Sequence, residues 1–496
     1  MSSKNSKKNN EDKIVVSCVG NSMNEVTGSC WTVSYPKNDK TRGLIVIECG
    51  LPQGEPTIKQ QYDTNKKMIE NIGKEVIENA TVVLVGHSHV DHTSNLPLFN
   101  SDNGFKGTIL GSKETIEITK ELIKDSVYIH KKNVEYLKSK GYKVKQFYTE
   151  PQMYDMFEKM RYAEIGKEII IDDNLTVIFN NNCHVIGSCN ITLILKKPNG
   201  SVKSIVYTSD LGSTINFKET YYLEEQNIPK KANLFITEAT YCDKERQMTK
   251  KQVLKEREDL KRTVKEALMN NRRILFPTFA FSRGQLLLTL FYEWFGEEEW
   301  FKEIPVVCDG VLINNINRTY LRILKDENKA LFQKVMNWNN LKINRDYEGT
   351  IATLTKRERG IYICSSGFLE NGRVMTYLPY ILSSSKDLIV LTGYCGQTNE
   401  GSMGYKMLNE DIKVINIDKQ VIQKRCQIKA YNTFTSHISH DELLDLFSQL
   451  NVDKIIVHHS GKCKEEFIEE AKGYLRNKNK TTQIIGTNKG CYQFVL

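Results

Sequence analysis

From residue 14 onwards, the hydrophobic positions of this chain fall in short runs that are separated by Gly, Asn and Asp. Short apolar runs rich in Val, Ile and Leu, with turn residues on both sides, are typical of buried β-strands. In the first half of the chain the pattern predicts strands at 14–20, 43–50, 81–86, 107–111, 175–181, 191–197, 204–210 and 233–240. Apolar residues at helical spacing predict helices between them at 113–124 and 152–161.

After residue 243 the pattern changes to an alternation of helices with strands. Helices are predicted at 250–272 and 284–295, and strands at 273–279, 304–310, 360–367 and 388–394. Such alternation is typical of an α/β unit with a parallel sheet. A helix at 441–450 and a strand at 454–459 follow, and we expect them to complete the first unit.

The change of pattern and its reversal predict one domain inserted into another. We predict a disordered basic tail at 1–13, a first domain made of 14–242 and 434–496, and an inserted domain at 243–433.

Composition excludes several classes of protein. The 496 residues are 40% hydrophobic and 26% charged, and no apolar run approaches the roughly 20 residues of a membrane helix. The N-terminal residues lack the apolar segment of a secretory signal. The twelve cysteines are scattered and form no Cys-x-x-Cys pair, so we expect reduced thiols and a cytoplasmic protein that contacts no membrane.

Charge is distributed unevenly between the predicted domains. The chain has 69 Lys and Arg against 60 Asp and Glu, a net charge of +9. Residues 243–433 have 31 basic and 23 acidic residues, so their net charge is +8. A solvated helical surface and a binding surface for a polyanion both account for this excess.

The segment GHSHVDHT at 86–93 contains three His and one Asp directly after a predicted strand. In an extended segment His87 and His89 lie on the same side and can bind one metal ion, while Asp91 and His92 can bind a second. Mixed nitrogen and oxygen ligands suit zinc, and the ions of two-metal hydrolytic sites lie about 3.5–4 Å apart. The segment therefore predicts metal binding.

Two ions need further ligands, and the ends of later predicted strands provide candidates. His184 follows one strand, Asp210 ends a second and His458 ends the last. A strand-terminal Asp before Gly is by itself typical of a turn. Together with the first cluster, these residues form a full set for two ions, in which Asp210 can bridge both.

These motifs resemble those of the metallo-β-lactamase superfamily and, within it, the β-CASP nucleases of the RNA-processing type, such as the polyadenylation-factor endonuclease subunit and its prokaryotic counterparts. The matches to the superfamily's metal motifs are His87, His89, Asp91, His92, His184 and Asp210. The matches to β-CASP motifs A, B and C are Glu238, His437 and His458. Segments 277–288, 365–378 and 392–404 are similar to further β-CASP motifs.

The resemblance implies an α/β fold, a four-layer αββα metallo-β-lactamase sandwich with an inserted α/β β-CASP domain. It also implies two divalent metal ions, zinc, with manganese as the alternative. One ion would be held by His87, His89 and His184, the other by Asp91, His92 and His458, with Asp210 as the bridge.

The chemistry that the resemblance implies is hydrolysis of RNA phosphodiester bonds. A hydroxide bridging the ions would attack phosphorus. Asp91, as a metal ligand, would be one of the catalytic residues. His437 would protonate the leaving oxygen, and Glu238 would orient His437. The expected partner is single-stranded RNA, in a homodimer or an RNA-processing complex. A DNA nuclease of the same family and a catalytically silent scaffold subunit are the alternatives.

The sequence departs from the family pattern in three places. His437 is followed by Ile438 and Ser439 where Ala-Asp is usual, which leaves exonuclease action open beside endonuclease action. The motif C histidine is followed by His459 instead of Gly, so His459 is an alternative metal ligand. Glu48 stands where the family has Asp, and we expect a structural role for it.

Overall fold

The structure is a computed structural model that describes residues 12–23, 25–215, 220–417, 419–486 and 493–496. The predicted tail at 1–13 lies, except for its last two residues, outside the described residues. The contacts divide the chain into two compact units. The first unit comprises the chain up to Thr214, Leu223–Gln247 and Ser436–Leu496, and the second comprises Ile215–Tyr222 and Met248–Thr435.

The first unit contains two seven-stranded sheets. The first sheet has the spatial order β22-β1-β2-β3-β4-β5-β6 and consists of β1 (Val15–Cys18), β2 (Trp31–Pro36), β3 (Arg42–Ile47), β4 (Val82–Leu84), β5 (Thr108–Ser112), β6 (Met160–Ala163) and β22 (Gln493–Val495). The second has the order β21-β20-β11-β10-β9-β8-β7 and consists of β7 (Glu168–Asp172), β8 (Leu175–Asn181), β9 (Cys189–Lys196), β10 (Val202–Tyr207), β11 (Lys231–Ala239), β20 (Asn451–Ser460) and β21 (Gln483–Ile485).

Helices cover both sheets of the first unit. They are α1 (Ile58–Asn79), α2 (Val90–Thr93), α3 (Lys113–Ser139), α4 (Glu150–Glu158), α12 (His440–Gln449) and α13 (Lys464–Asn477). Trp31 and Ile191 belong to the core between the sheets. Ile123 of α3 belongs to a second core on the outer face of the first sheet, and Phe447 of α12 to a third on the second sheet. These three cores separate four layers, so the predicted αββα sandwich is confirmed.

The second unit is built around a six-stranded sheet in which every strand pair is parallel. Its order is β14-β13-β15-β12-β16-β19, from β12 (Arg273–Pro277), β13 (Val306–Asp309), β14 (Leu341–Asn344), β15 (Gly360–Cys364), β16 (Leu388–Leu391) and β19 (Gln427–Ala430). A separate antiparallel hairpin consists of β17 (Val414–Ile417) and β18 (Gln420–Gln423). The helices are α5 (Lys250–Met269), α6 (Arg283–Phe295), α7 (Val311–Ile323), α8 (Asp326–Met336), α9 (Tyr347–Lys356), α10 (Val374–Leu382) and α11 (Met403–Leu408). The predicted α/β alternation is therefore present.

Ile215 and residues 220–222 belong to the second unit by their contacts, although they precede the predicted insertion at 243–433. Tyr222 accounts for this, because its hydroxyl lies 2.6 Å from Oγ1 of Thr289 and its ring packs against Tyr320 and Phe332. The predicted domain boundaries themselves stay a prediction. Among the described residues, no helix is long and apolar enough to cross a membrane.

Candidate metal centre

The His-rich segment leaves the buried strand β4 and enters the short helix α2. His89 precedes the helix as its N-cap, whereas Asp91 and His92 lie within it. The segment begins at Gly86, where a Cβ atom would lie 2.5 Å from the side chain of Ser209. Because no real Cβ tolerates that distance, glycine is needed for the close approach of these two loops.

Four side chains from both sheets converge beside this segment. The ligand atoms of His87, His89, His184 and Asp210 all lie within 4.8 Å of one another. Nδ1 of His89 lies 3.0 Å from Nε2 of His87 and 3.2 Å from Nε2 of His184. Oδ2 of Asp210 lies 3.6 Å from Nε2 of both His87 and His184. The structure therefore brings together the three histidines that were predicted to hold the first ion and the aspartate that was predicted to bridge the two ions.

A second group adjoins the first and shares its carboxylate. It consists of Asp91, His92 and His459. Nε2 of His459 lies 3.3 Å from Nε2 of His92 and 3.4 Å from Oδ2 of Asp91. The second oxygen of Asp210, Oδ1, lies 3.4 Å from Nε2 of His92 and 3.3 Å from Nδ1 of His459. Asp210 thus directs one oxygen towards each group.

The structure differs from the expectation for the last histidine, because His459 and not His458 lies in the second group. Strands β11 and β20 pair in parallel, with Glu238 opposite His458 and Ala239 opposite Ser460. The register shift between these pairs leaves His459 as the extra residue of a β-bulge. Its φ of 45° turns the backbone there, and its side chain faces the other ligands.

His458 lies instead among the aromatic residues between the two sheets. Its ring centroid is 5.3 Å from that of Trp31 and 5.4 Å from that of Tyr207. Nδ1 lies 3.3 Å from Oγ of Ser22, while Nε2 is buried and has no hydrogen-bond partner among the described residues. His458 is therefore a core residue of the first unit.

Glu48 has a larger part in the site than the structural role expected from its sequence position. It is fully buried, and its Oε2 accepts hydrogen bonds from Nδ1 of His92 at 2.6 Å and from the Tyr207 hydroxyl at 2.5 Å. Its Oε1 accepts a 2.5 Å hydrogen bond from Ser209, whose Oγ lies 2.9 Å from Nδ1 of His87. With Nδ1 engaged in both rings, Nε2 is the nitrogen left for the cluster.

His184 is oriented in the same way from a different part of the chain. Its Nδ1 donates a 2.9 Å hydrogen bond to the carbonyl oxygen of Ser436, so its Nε2 faces His89. The segment that carries His437 therefore also fixes a ring of the first group.

Four non-glycine residues beside the site have a positive φ. They are Glu48 at 61°, Cys183 at 64°, Ser209 at 52° and His459 at 45°. This left-handed conformation costs on the order of 1–3 kcal/mol for such residues and clusters at functional sites. Two of these residues directly precede His184 and Asp210, so the strain lies where the chain turns to direct ligand atoms inward.

His437 and Glu238 form a pair next to the first group. Nδ1 of His437 donates a 2.8 Å hydrogen bond to Oε1 of Glu238, and the rings of His437 and His184 lie 4.6 Å apart. The Glu238 carboxylate is itself held by the backbone amides of Leu211 and Thr240, each at 2.8 Å. Burial lowers the pKa of His437, but the charge and hydrogen bond of Glu238 outweigh this and raise it to about 8.

The donor set fits divalent cations. Burial lowers the pKa of His89 to about 4 and, together with neighbouring rings, holds the pKa of His87 and His184 well below the usual value, so these three rings are neutral donors. Burial lowers the pKa of His92, but Glu48 and Asp210 outweigh this and raise it. The buried Oδ1 of Asp210 has no hydrogen-bond partner among the described residues. Buried carboxylates at such a position need a compensating positive charge.

The bulge leads to a prediction that separates the two adjacent histidines. We expect His459→Ala to lower the metal content of the purified chain, whereas His458→Ala should keep its metal. Both variants truncate a buried ring, so each should lose about 2 kcal/mol or more of unfolding free energy in the absence of metal. Metal analysis by mass spectrometry and thermal unfolding of the two variants measure these effects.

The two variants serve as controls for each other, since both remove one imidazole from neighbouring positions of β20. A His458→Ala chain that loses its metal while His459→Ala retains it would contradict the orientation of the bulge.

A sandwich of this kind, with a His and Asp cluster supplied by both sheets, defines a metallo-β-lactamase fold. A solved structure of a protein of unknown function from Enterococcus faecalis has the same fold, with a TM-score of 0.52 and 13% identity, over 98% of this chain and 100% of that one. A family model described as the Beta-Casp domain matches residues 284–407, which all lie in the second unit.

Three curated relatives match most of the chain. "Endoribonuclease ysh1" of Schizosaccharomyces pombe is 22% identical over 95% of this chain and 58% of its own length. "Integrator complex subunit 11" of Gallus gallus is 23% identical over 90% of this chain and 69% of its own. "Ribonuclease TTHA0252" of Thermus thermophilus is 22% identical over 81% and 84%. The chain thus spans little more than half of the fission-yeast protein. Residues 284–407 are thus similar to the Beta-Casp domain, and most of the chain is similar to these three relatives.

Proposed function

We propose that this chain is a metal-dependent ribonuclease that hydrolyses RNA phosphodiester bonds. The observation that carries the proposal is the buried Asp210, which directs one oxygen to each of two adjoining ligand groups. The matched relatives support the substrate, because two of them are named as an endoribonuclease and a ribonuclease. Single-stranded RNA, a homodimer or a processing complex, and a cytoplasmic location are part of the same proposal.

Two divalent ions are the cofactors of the proposed enzyme, and zinc suits the nitrogen-rich donor set, with manganese as the alternative. The residues that would hold them are His87, His89 and His184 for one ion, Asp91, His92 and His459 for the other, and Asp210 for both. When bound, such ions activate water and neutralise the charge that develops on the phosphate.

The remaining chemistry falls to the pair of His437 and Glu238. A ribose oxygen that leaves phosphorus is strongly basic, so a proton must reach it as the bond breaks. Nδ1 of His437 is engaged with Glu238, so the proton to be transferred is the one on Nε2. Glu238 fixes the direction of the ring and stabilises its charged form. Glu238 is therefore a positioning residue, and His437 is the general acid.

Digestion of defined nucleic acids tests the proposed function. We expect the metal-loaded chain to cleave circular RNA as well as linear RNA with a 5′-monophosphate or a 5′-triphosphate, and a chelator to stop cleavage. Gel analysis of the products distinguishes the modes of action, since only an endonuclease opens circles.

Single-stranded DNA of the same sequence is the control substrate. Cleavage of DNA with RNA untouched would replace the proposal by a DNA nuclease. If the chain binds no metal and cleaves neither substrate, the proposed ribonuclease function is wrong and a scaffold subunit takes its place.

A further inference from the structure

The second unit contains a groove of about 830 Å³ whose lining is basic. It lies between α10, the β17–β18 hairpin and the two ends of α9, so all of its walls belong to the second unit. Among the residues that the structure describes, fifteen line the groove, and these include three arginines, Arg273, Arg357 and Arg425, and no Asp or Glu. None of these residues takes part in the candidate metal centre.

Arg273 is the buried arginine of the lining, and an ion pair with Asp387 offsets its charge. It is 9% exposed, and its Nε and Nη2 donate to Oδ2 of Asp387 at 3.1 and 2.5 Å. Its Nη1 is buried and has no hydrogen-bond partner among the described residues. A buried donor without a partner is uncommon in proteins and calls for a ligand or another explanation.

The other two guanidinium groups are exposed. Within the described ranges, neither Arg357 nor Arg425 forms a side-chain hydrogen bond or an ion pair. Arg357 ends α9 in the left-handed conformation, with a φ of 52°. Like charges that line one groove repel each other unless an anion offsets them. Guanidinium groups suit phosphate in particular, because their planar donors match its oxygens.

The rest of the lining suits a nucleotide better than a bare phosphate ion. Tyr347 and Tyr380 line the groove and are 57% and 46% exposed, so their rings are accessible for stacking. Thr376 adds a hydroxyl donor, whereas the Ser383 hydroxyl already donates to the carbonyl oxygen of Pro379 at 2.8 Å. The groove's volume also exceeds what one phosphate group fills.

We propose that this groove binds the phosphates and bases of single-stranded RNA. The inference rests on the proposed function in its choice of RNA, and it adds a binding site whose residues are separate from those of the metal centre.

Fluorescence anisotropy of a short labelled oligouridylate, with the full chain in a chelator that prevents cleavage, tests this inference. We expect the double variant Arg357→Gln/Arg425→Gln to bind about tenfold or more weakly than the parent chain. The slope of log K against log salt should also fall in magnitude by about 1.4, because two phosphate contacts are lost. Both arginines are exposed and unpaired among the described residues, so the unfolding temperature should not change.

The matched control is Arg318→Gln/Lys334→Gln, which removes the same charge from exposed positions of the second unit outside the groove. This control should keep the parent affinity. Equal binding by the two double variants would overturn the inference. AMP, inorganic phosphate and unlabelled RNA are tested separately as competitors of the labelled RNA, to show which of them the groove binds. Displacement of the labelled RNA by unlabelled RNA, and by neither AMP nor inorganic phosphate, supports the proposal. The proposal would be overturned if the groove variant lost phosphate binding but still bound RNA like the parent chain.

The binding assay is independent of cleavage, so the two proposals can fail separately. A parent chain that leaves RNA intact, with binding that still depends on the groove, contradicts only the nuclease function. A parent chain that cleaves RNA, with a groove variant that binds like the control, contradicts only the groove.

Discussion

Replacing Asp210 with Asn is expected to have the largest effect on this protein. The two oxygens of Asp210 face the two ligand groups, at 3.6 Å from His87 and 3.4 Å from His92. Asn keeps the shape but loses the charge that offsets two cations, so both ions should bind more weakly. Metal-ion catalysis is worth several kcal/mol, and about 4 kcal/mol corresponds to a roughly 10³-fold lower rate. We expect at least that loss of RNA cleavage, together with a lower metal content by mass spectrometry.

Asp453→Asn is the matched control for this variant. Asp453 is an exposed residue of β20 that accepts a 2.9 Å hydrogen bond from Asn233, far along the strand from the bulge. The control should retain full metal content and activity. An Asp210→Asn chain that binds two ions with parent affinity would show that Asp210 is not their shared ligand.

Replacing His437 with Ala is expected to have the second largest effect. The loss of a general acid lowers the rate by about 10²–10⁴-fold. Metal content should stay the same, because His437 belongs to neither ligand group. Single-turnover cleavage of RNA, beside metal analysis of the same sample, measures both quantities.

A substrate with a good leaving group distinguishes acid catalysis from a structural role of His437. Bis(4-nitrophenyl) phosphate releases a phenolate that needs little help from a proton. The His437→Ala chain should therefore hydrolyse this compound almost as fast as the parent chain does. An equal loss on both substrates would contradict the assignment of His437 as the acid.

The pKa of His437 provides a readout for Glu238. In the metal-free chain, NMR titration of the imidazole should give a pKa of about 8, since the Glu238 carboxylate favours the charged ring. Glu238→Gln removes that charge, so the pKa should fall and the charged form should be lost at lower pH. An unchanged titration would show that Glu238 does not act on the ring.

The elements that the sequence predicted well are those with strong local patterns. The strands that include β4, β11 and β12 are continuous apolar runs, and all were predicted. The 22-residue helix α1 was missed because only a few of its residues are buried and the rest are polar. Helix α3 continues to Ser139, beyond the predicted 113–124, where its exposed face is rich in Lys and Tyr.

The long-range contacts of the site could not be predicted from local patterns. Glu48 is an acid directly after the apolar strand β3, and its role follows only from its hydrogen bonds to His92, Tyr207 and Ser209, which are distant in sequence. Helical or strand periodicity contains no information about such partners. The positive φ of Glu48, which turns its side chain, likewise depends on packing against loops from the second sheet.

The sequence by itself determined which donors can form the site. The spacing of His87, His89, Asp91 and His92 brings them into one loop, and each further ligand lies at or just after the end of a strand. The tertiary structure decided between His458 and His459, because side chains alternate along a strand and one extra residue reverses which face each occupies. That extra residue arises from the pairing of β20 with β11, more than 200 residues earlier in the chain.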